Sequence, residues 1–298
     1  MAPPGNRTGH YTSHHKGIYM TRRITSQVQS VVGGSGIQAG GYVHTPSSAW
    51  PHTYITAQTV DLAAAFKPKR AGKNPKLSHV VFLLDDSSSM QSCRDITISG
   101  FNEYLASQKA DANTNGITTV VSLYKFDGRD VKCVFDRQNV ETVEPLTHVT
   151  YNPSGNTNLL DAMGGVLMKV NNLLSEKKKA ERESVIINVL TDGEENASRT
   201  FNNASIKAMV EKAEGKNWGF LFLGANIDAF QAGHALGFSV SNTIQFDTKN
   251  TDATMRAASR MTNSLKGAYA SGTPTSMAYA ASTFTKGERA AAVGKDNE

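Results

Sequence analysis

An α/β fold built on a doubly wound, mostly parallel sheet flanked by helices is predicted by three features of the chain. Two runs, "SHVVFLLD" and "SVIINVLTDG", are apolar on consecutive residues, as strands buried on both faces are. From residue 77 onward such runs alternate with stretches of helical spacing, the order that produces parallel strands with crossover helices. Both runs also end abruptly in Asp, Ser and Gly, at the strand ends where ligands bind in sheets of this kind.

The elements follow in order. Residues 1–76 carry nine Lys/Arg against one acid, Asp61, whereas the rest of the chain carries 22 against 25. This first quarter is rich in Gly, Ser, Thr and His and shows only short alternations such as "YITAQTV". It reads as a basic arm or small lobe closed by the linker "KPKRAGKNPK". Such an arm is either solvated or binds nucleic acid or another acidic surface. His10, His14 and His15 stand close together without Cys or acidic partners, a pattern of exposed surface more than of a metal site.

The first buried strand then ends at Asp85, and "ITISGFNEYLASQKA" follows as a helix with Ile96, Ile98, Phe101 and Leu105 on one face. "GITTVVSLYKFDG" is a second strand. "VKCVFDR", only three residues further on, is an antiparallel edge strand. Leu159, Met163, Val166, Val170 and Leu173 or Leu174 trace a long helix that runs into lysines. After "SVIINVLTDG" come a short helix at "NNASIKAMVEKAEG", a strand at "NWGFLFLGAN", a helix at "IDAFQAGHALG", a short strand at "NTIQFDT" and a last helix over about 250–271. Residues 272–298, rich in Ala, Ser and Thr and without a periodic face, read as a C-terminal tail.

Composition bounds the function. The 298 residues, 39% hydrophobic, suffice for one full-sized core. No window approaches the roughly 18 apolar residues of a membrane span, and the start lacks the apolar core of a signal peptide, so an intracellular, cytoplasmic place is expected. Cys93 and Cys133 make neither a disulfide framework nor a zinc site, and in that compartment the sequons at Asn6, Asn196 and Asn203 carry no meaning.

Five oxygen-bearing residues lie in three loops: Asp85, Ser87 and Ser89 after the first strand, Thr157 before the long helix, and Asp192 after "SVIINVLT". The fold rule brings two of these loops to one sheet edge, and the third reaches it as the turn opening a helix. Mg²⁺ takes about six oxygens at about 2.0–2.1 Å and keeps some of its waters, so hydroxyls and two carboxylates suit it better than they suit calcium. A shell short of one protein ligand stays electrophilic toward an outside carboxylate. Capping of the next helix is the alternative role for any single loop, Ser89 and Asn158 included.

The combination of D-x-S-x-S-M at Asp85–Met90, Gly-x-Thr-Asn at Gly155–Asn158 and Thr-Asp-Gly at Thr191–Gly193 resembles the metal-ion-dependent adhesion site of the von Willebrand factor type A family, over about residues 77–248. The resemblance implies Ser87, Ser89 and Thr157 as direct ligands of Mg²⁺ or Mn²⁺. It implies Asp85 and Asp192 as holding waters or exchanging with Thr157, and a Glu or Asp of a partner protein as completing the shell. "FLFLGANIDAFQAGHALGF" resembles a segment of intracellular bacterial and bacteriophage members. Where many members have Gly, this chain has Ser88, which would be strained if that position needs positive φ. Asp86 is expected to face solvent, and Glu194 and Glu195 to start a helix rather than bind metal.

Enzymatic readings lack their residues. A receiver domain needs a lysine where this chain has "FLGANID", and a haloacid-dehalogenase phosphatase needs an aspartate where Ser87 stands. A dinucleotide binder needs a glycine-rich turn after the first strand, where this chain has serines, a P-loop motif is absent, and no histidine accompanies a nucleophile in the motif loops. The expected protein is a non-enzymatic, Mg²⁺-dependent protein-binding module. The alternatives are a structural component of an assembly such as a phage particle, and a nucleic-acid binder acting through residues 1–76.

Overall fold

Every residue of Val80–Leu84 is sealed from solvent, because the strand that carries them lies in the middle of a six-stranded sheet. A computed structural model describes residues 61–72 and 75–295 of the chain. Residues 1–60, and with them most of the basic arm and its histidines, lie outside the described residues. The elements are α1 (Leu62–Ala65), β1 (Leu77–Asp85), α2 (Arg94–Asn115), β2 (Thr118–Phe126), β3 (Val131–Asn139), α3 (Leu159–Ser175) and β4 (Ser184–Thr191). They continue with α4 (Asn203–Glu214), β5 (Trp218–Ala225), α5 (Ala229–Ala235), β6 (Thr243–Phe246), α6 (Thr251–Ala270), α7 (Thr275–Ala281) and α8 (Lys286–Ala292).

The strand order is β3-β2-β1-β4-β5-β6, with β3 antiparallel and every other pairing parallel. This is the doubly wound α/β class, and the strand order reverses between β1 and β4. One core forms where α2 and α6 cover one face of the sheet, around Phe82, Phe101, Tyr104, Met255 and Met261. The other lies under α3 and α4, around Leu83, Met163, Val166, Val170 and Trp218. Leu174, not Leu173, completes the buried stripe of α3. No helix among the described residues is long and apolar enough to cross a membrane.

At the amino ends of the strands a polar network holds the bulged edge strand. Ser122 Oγ donates to Asp136 Oδ1 (2.9 Å) and accepts from the Arg137 backbone (2.8 Å). With its single proton so placed, the hydroxyl can only accept from His79 Nε2, 2.8 Å away, which fixes that tautomer and turns Nδ1 toward Arg137 Nη1 (3.3 Å). Arg137, at φ 51°, is ion-paired with Glu183, as is Lys177 at 2.6 Å. Burial first, and the Arg137 charge second, lower the His79 pKa to about 3.

Two sequence boundaries move. Residues 61–72, assigned to the arm, dock on the sheet domain: Phe66 is buried edge-on to Trp218, and Trp218 Nε1 donates to the Lys69 carbonyl (2.9 Å). Residues after 271, expected as a tail, include α7 and α8 packed beside α6 and β6, with Ala278, Phe284 and Ala292 buried. Their apolar residues are too widely spaced to make a periodic face, yet each fills a gap next to a structured neighbour. Tyr279 is the main anchor. Its hydroxyl accepts from the Phe220 amide (2.7 Å), just before the β5–β6 pairing begins at Phe222. The same hydroxyl faces Glu214, whose carboxyl burial pushes up to about 7. Tyr279→Phe is therefore expected to cost about 1–3 kcal/mol by leaving that amide unpaired, read as a lower urea midpoint; an unchanged midpoint would contradict the anchoring role.

Candidate metal centre

Parallel pairing sets Asp85 at the end of β1 beside Thr191 at the end of β4, at the point where the strand order reverses. In open α/β sheets this crevice is where ligands bind. Asp85 is fully buried. Its Oδ2 accepts from Thr191 Oγ1 (2.6 Å), and its Oδ1 accepts from the Ser87 amide (2.8 Å). A turn of 3₁₀ helix, Ser88–Cys93, then carries Ser89 back over the crevice. Ser87 Oγ and Ser89 Oγ lie 3.1 Å apart, and Ser89 Oγ donates to Asp192 Oδ1 at 2.6 Å. Thr157 joins them from the opening of α3: a Cβ placed on Gly193 would stand 3.4 Å from Thr157 Oγ1 and 3.7 Å from Ser89 Oγ. All five residues singled out in the sequence thus converge on one point.

Capping explains none of them. Neither Ser87 nor Asn158, the residues at the two helix starts, makes a side-chain capping bond. Asn158 Oδ1 instead accepts from the Gly128 amide (3.0 Å), and the Ser89 hydroxyl is spent on Asp192.

The loops are held by residues whose roles the sequence did not disclose. Ser88 lies outside the positive-φ region, so the strain considered for it does not arise. Its amide donates to the Gly155 carbonyl (3.0 Å) and its hydroxyl accepts from the Gly155 amide (2.9 Å), clasping the first loop to the second. Gly155 is required there: at φ 92° a Cβ would come within 2.4 Å of the Asp127 carbonyl. Tyr151 OH donates to the Asp85 carbonyl (2.8 Å), and Arg94 Nε donates to the Tyr151 carbonyl (3.0 Å). Asn196 accepts from the Thr157 amide (3.0 Å), and the Thr157 carbonyl accepts from Asn196 and Ala197.

Asp86 corrects an expectation. It is buried and ion-paired with Lys125 Nζ at 2.8 Å, not turned to solvent. Alternation along the strand end sends Asp86 to the side opposite Asp85, where a lysine of β2 covers it. Glu195 is no free side chain either. Its carboxylate accepts from the amides of Leu160, Ala197 and Ser198, which joins the third loop to the positive end of α3. Neither Glu194 nor Glu195 starts a helix, since α4 begins only at Asn203; Glu195 is committed instead to backbone amides.

The electrostatics are those of carboxylates held at a cost. Burial raises the Asp85 pKa to about 6, opposed by the hydrogen bonds from Thr191 and Ser87. Burial likewise raises the Asp192 pKa, against the bond from Ser89. Asp192 Oδ2 is buried and has no hydrogen-bond partner among the described residues. Among those residues no group of three or more His, Cys, Asp or Glu has metal-holding geometry. The donors are instead three hydroxyls and two carboxylates, and the bare side of Gly193 leaves the space over Ser89 and Thr157 open. An all-oxygen set with one unpartnered buried carboxylate oxygen fits a hard divalent cation.

No protein-family model matches the chain, and neither does any curated protein. Solved structures do resemble it. The pilus adhesin SpaC from Lactobacillus rhamnosus GG, in its open conformation, aligns at a TM-score of 0.49 and 13% identity over 65% of this chain and 31% of the adhesin. Manganese-loaded TRAP from Plasmodium vivax aligns at 0.42 and 17% identity over 60% of this chain and 71% of TRAP. The VWA domain of SpRpn10 aligns at 0.38 and 10% identity over 57% of this chain and 86% of that domain. The chain thus spans about a third of the adhesin's length. Strand order and direction, not identities this low, define the chain as a doubly wound α/β domain.

Proposed function

We propose that this chain is a divalent-cation-dependent protein-binding module in which Ser87, Ser89, Thr157, Asp85 and Asp192 hold Mg²⁺ or Mn²⁺ and a Glu or Asp of a partner protein completes the shell. The observation that carries this reading is the convergence of five oxygen-bearing side chains at the strand switch point, one of them with a buried carboxylate oxygen that has no hydrogen-bond partner among the described residues. A bound divalent cation supplies electrophilic attraction for an outside carboxylate. The chain's own residues supply rigidity: Ser88 and Gly155 clasp two loops, Glu195 clasps the third, and Tyr151 holds the carbonyl of Asp85. A preformed site loses little on ordering when the partner arrives.

The module is non-enzymatic in this reading. Ser122, His79 and Asp136 do stand within hydrogen-bond reach, but at the opposite end of the sheet. Asp136 bonds the serine, not the imidazole, and His79 and Ser122 are sealed from solvent. A cytoplasmic or particle-bound place suits a module of this kind.

Affinity capture on immobilised full-length protein tests the proposal. Partner retention is expected in Mg²⁺, release by chelator, loss with Ser87→Ala, and loss when the partner's acidic residue is exchanged for its amide. Retention that withstands chelator and Ser87→Ala alike would contradict it.

A further inference from the structure

β1, β4 and β5 are parallel, so the segments that enter them meet at the pole of the sheet opposite the candidate metal centre, which lies at the carboxyl ends of β1 and β4. The described residues of those segments, 67–72 with 75–76, 177–183 and 212–217, are laced together by backbone. The Ala71 amide donates to the Lys216 carbonyl (3.2 Å), and the Gly72 amide donates to the Arg182 carbonyl (3.0 Å). Arg70 donates to the Gly215 carbonyl (2.9 Å) and to Asn217 Oδ1 (3.3 Å). The approach is close enough that a Cβ on Gly72 would lie 2.6 Å from the Arg182 carbonyl and 3.3 Å from that of Lys179. Residues 70–72, which read in the sequence as part of a basic arm, are therefore fixed against two other basic loops. Lys67, Arg70, Lys76, Lys178, Lys179 and Lys216 are all exposed there.

Counter-charge at this pole is sparse. Among the described residues none of the six is in an ion pair; Glu183 is taken by Arg137 and Lys177, and Glu214 faces Tyr279. Glu181 is the one remaining acid of the three segments, and Glu176 adjoins the second of them.

We propose that this composite pole binds a polyanion, the phosphate backbone of duplex nucleic acid, without regard to base sequence. Three observations select that ligand. The cations come from three loops and spread over a surface, as contacts to a regular phosphate array require. The aromatic rings of the pole, Phe66 and Trp218, are buried, so among the described residues the pole offers no exposed ring for stacking with unpaired bases. The exposed large apolar residues, Val149, Met168, Val240, Met277 and Val293, all lie outside the three segments, so the apolar face that a membrane surface would need is missing among them. The strands between this pole and the metal centre are eight or nine residues long, about 25–30 Å, so the two surfaces can be occupied independently. This proposal stands apart from the metal reading.

The test is fluorescence anisotropy of a labelled DNA duplex with the full chain, titrated at several salt concentrations. Three proteins are compared: wild type, a pole variant (Lys178→Gln, Lys179→Gln, Lys216→Gln) and an arm variant (Arg7→Gln, Lys16→Gln, Arg22→Gln, Arg23→Gln). Wild type is expected to bind with steep salt dependence. The pole variant is expected to lose about tenfold or more in affinity and to flatten the slope of log K against log salt by about 2–3, one for each phosphate contact removed. Its circular dichroism and divalent-cation binding should match wild type, since all three lysines are exposed. Absence of duplex binding at low salt, a pole variant with the wild-type slope, or loss confined to the arm variant would each overturn the proposal. So would binding to anionic phospholipid vesicles in preference to duplex.

Discussion

Asp192→Asn is expected to lose divalent-cation affinity by about 100-fold or more and, in metal-stripped protein, to melt at a higher temperature than wild type. The two effects have one cause. Asp192 is buried with an oxygen unpartnered among the described residues, and burial raises its pKa, so above its unfolded pKa the ionised carboxylate costs stability that a bound cation recovers. Asparagine keeps an acceptor toward Ser89 and removes the charge. Loss of a charged ligand should exceed the 10- to 100-fold typical of residues that only orient ligands. Calorimetric titration gives the first quantity and a thermal melt with chelator the second. A variant that binds cation normally, or one that unfolds more readily without metal, would show that Asp192 is a structural cap and not a ligand.

Acidification supplies the second large effect. His79 is fully buried, and burial holds its pKa in the folded chain at about 3, against 6.5 for an exposed imidazole. Below pH 6.5 the unfolded chain takes up a proton that the folded chain refuses, so this contribution to stability is complete above 6.5. It falls as pH drops toward 3 and levels off below that. Over the window the loss is on the order of 4 kcal/mol, at about 1.4 kcal/mol per pH unit. Asp85, with its raised pKa, acts in the opposite sense, losing its contribution as pH rises from 3.8 through about 6. The informative quantity is therefore the difference between wild type and His79→Gln. Gln can still donate to Ser122, and its unfolding free energy should depend less steeply on pH between 3 and 6.5. Parallel curves for the two proteins would contradict the buried neutral histidine.

What the sequence discloses and what it conceals have physical reasons. "SHVVFLLD" and "SVIINVLT" announce central strands because burial on both faces leaves no room for polar alternation, and "VKCVFDR" announces an edge because three residues allow only a reversal. The five residues of the candidate site are legible because each follows a strand or opens a helix, where the fold itself aims them. The fate of Asp86 is not, since its partner Lys125 is 39 residues away and becomes a neighbour only through the β1–β2 pairing. The Ser88–Gly155 clasp is hidden for the same reason. The C-terminal helices escape because each is seven residues long, too short for a periodic signal, and is held by single contacts such as that of Tyr279. The docking of residues 61–72 is hidden because "KPKR" looks like a linker until Gly72 is seen passing against Arg182.

The central claim is that the crevice between β1 and β4 holds a divalent cation. Calorimetric titration of Mg²⁺ and Mn²⁺ into metal-stripped full-length protein tests it most directly, with Ser87→Ala and Asp192→Asn as controls. Saturable binding at one site, lost or severely weakened in both controls, is the predicted result. Wild-type protein with no saturable binding, or controls that bind as wild type does, would contradict it.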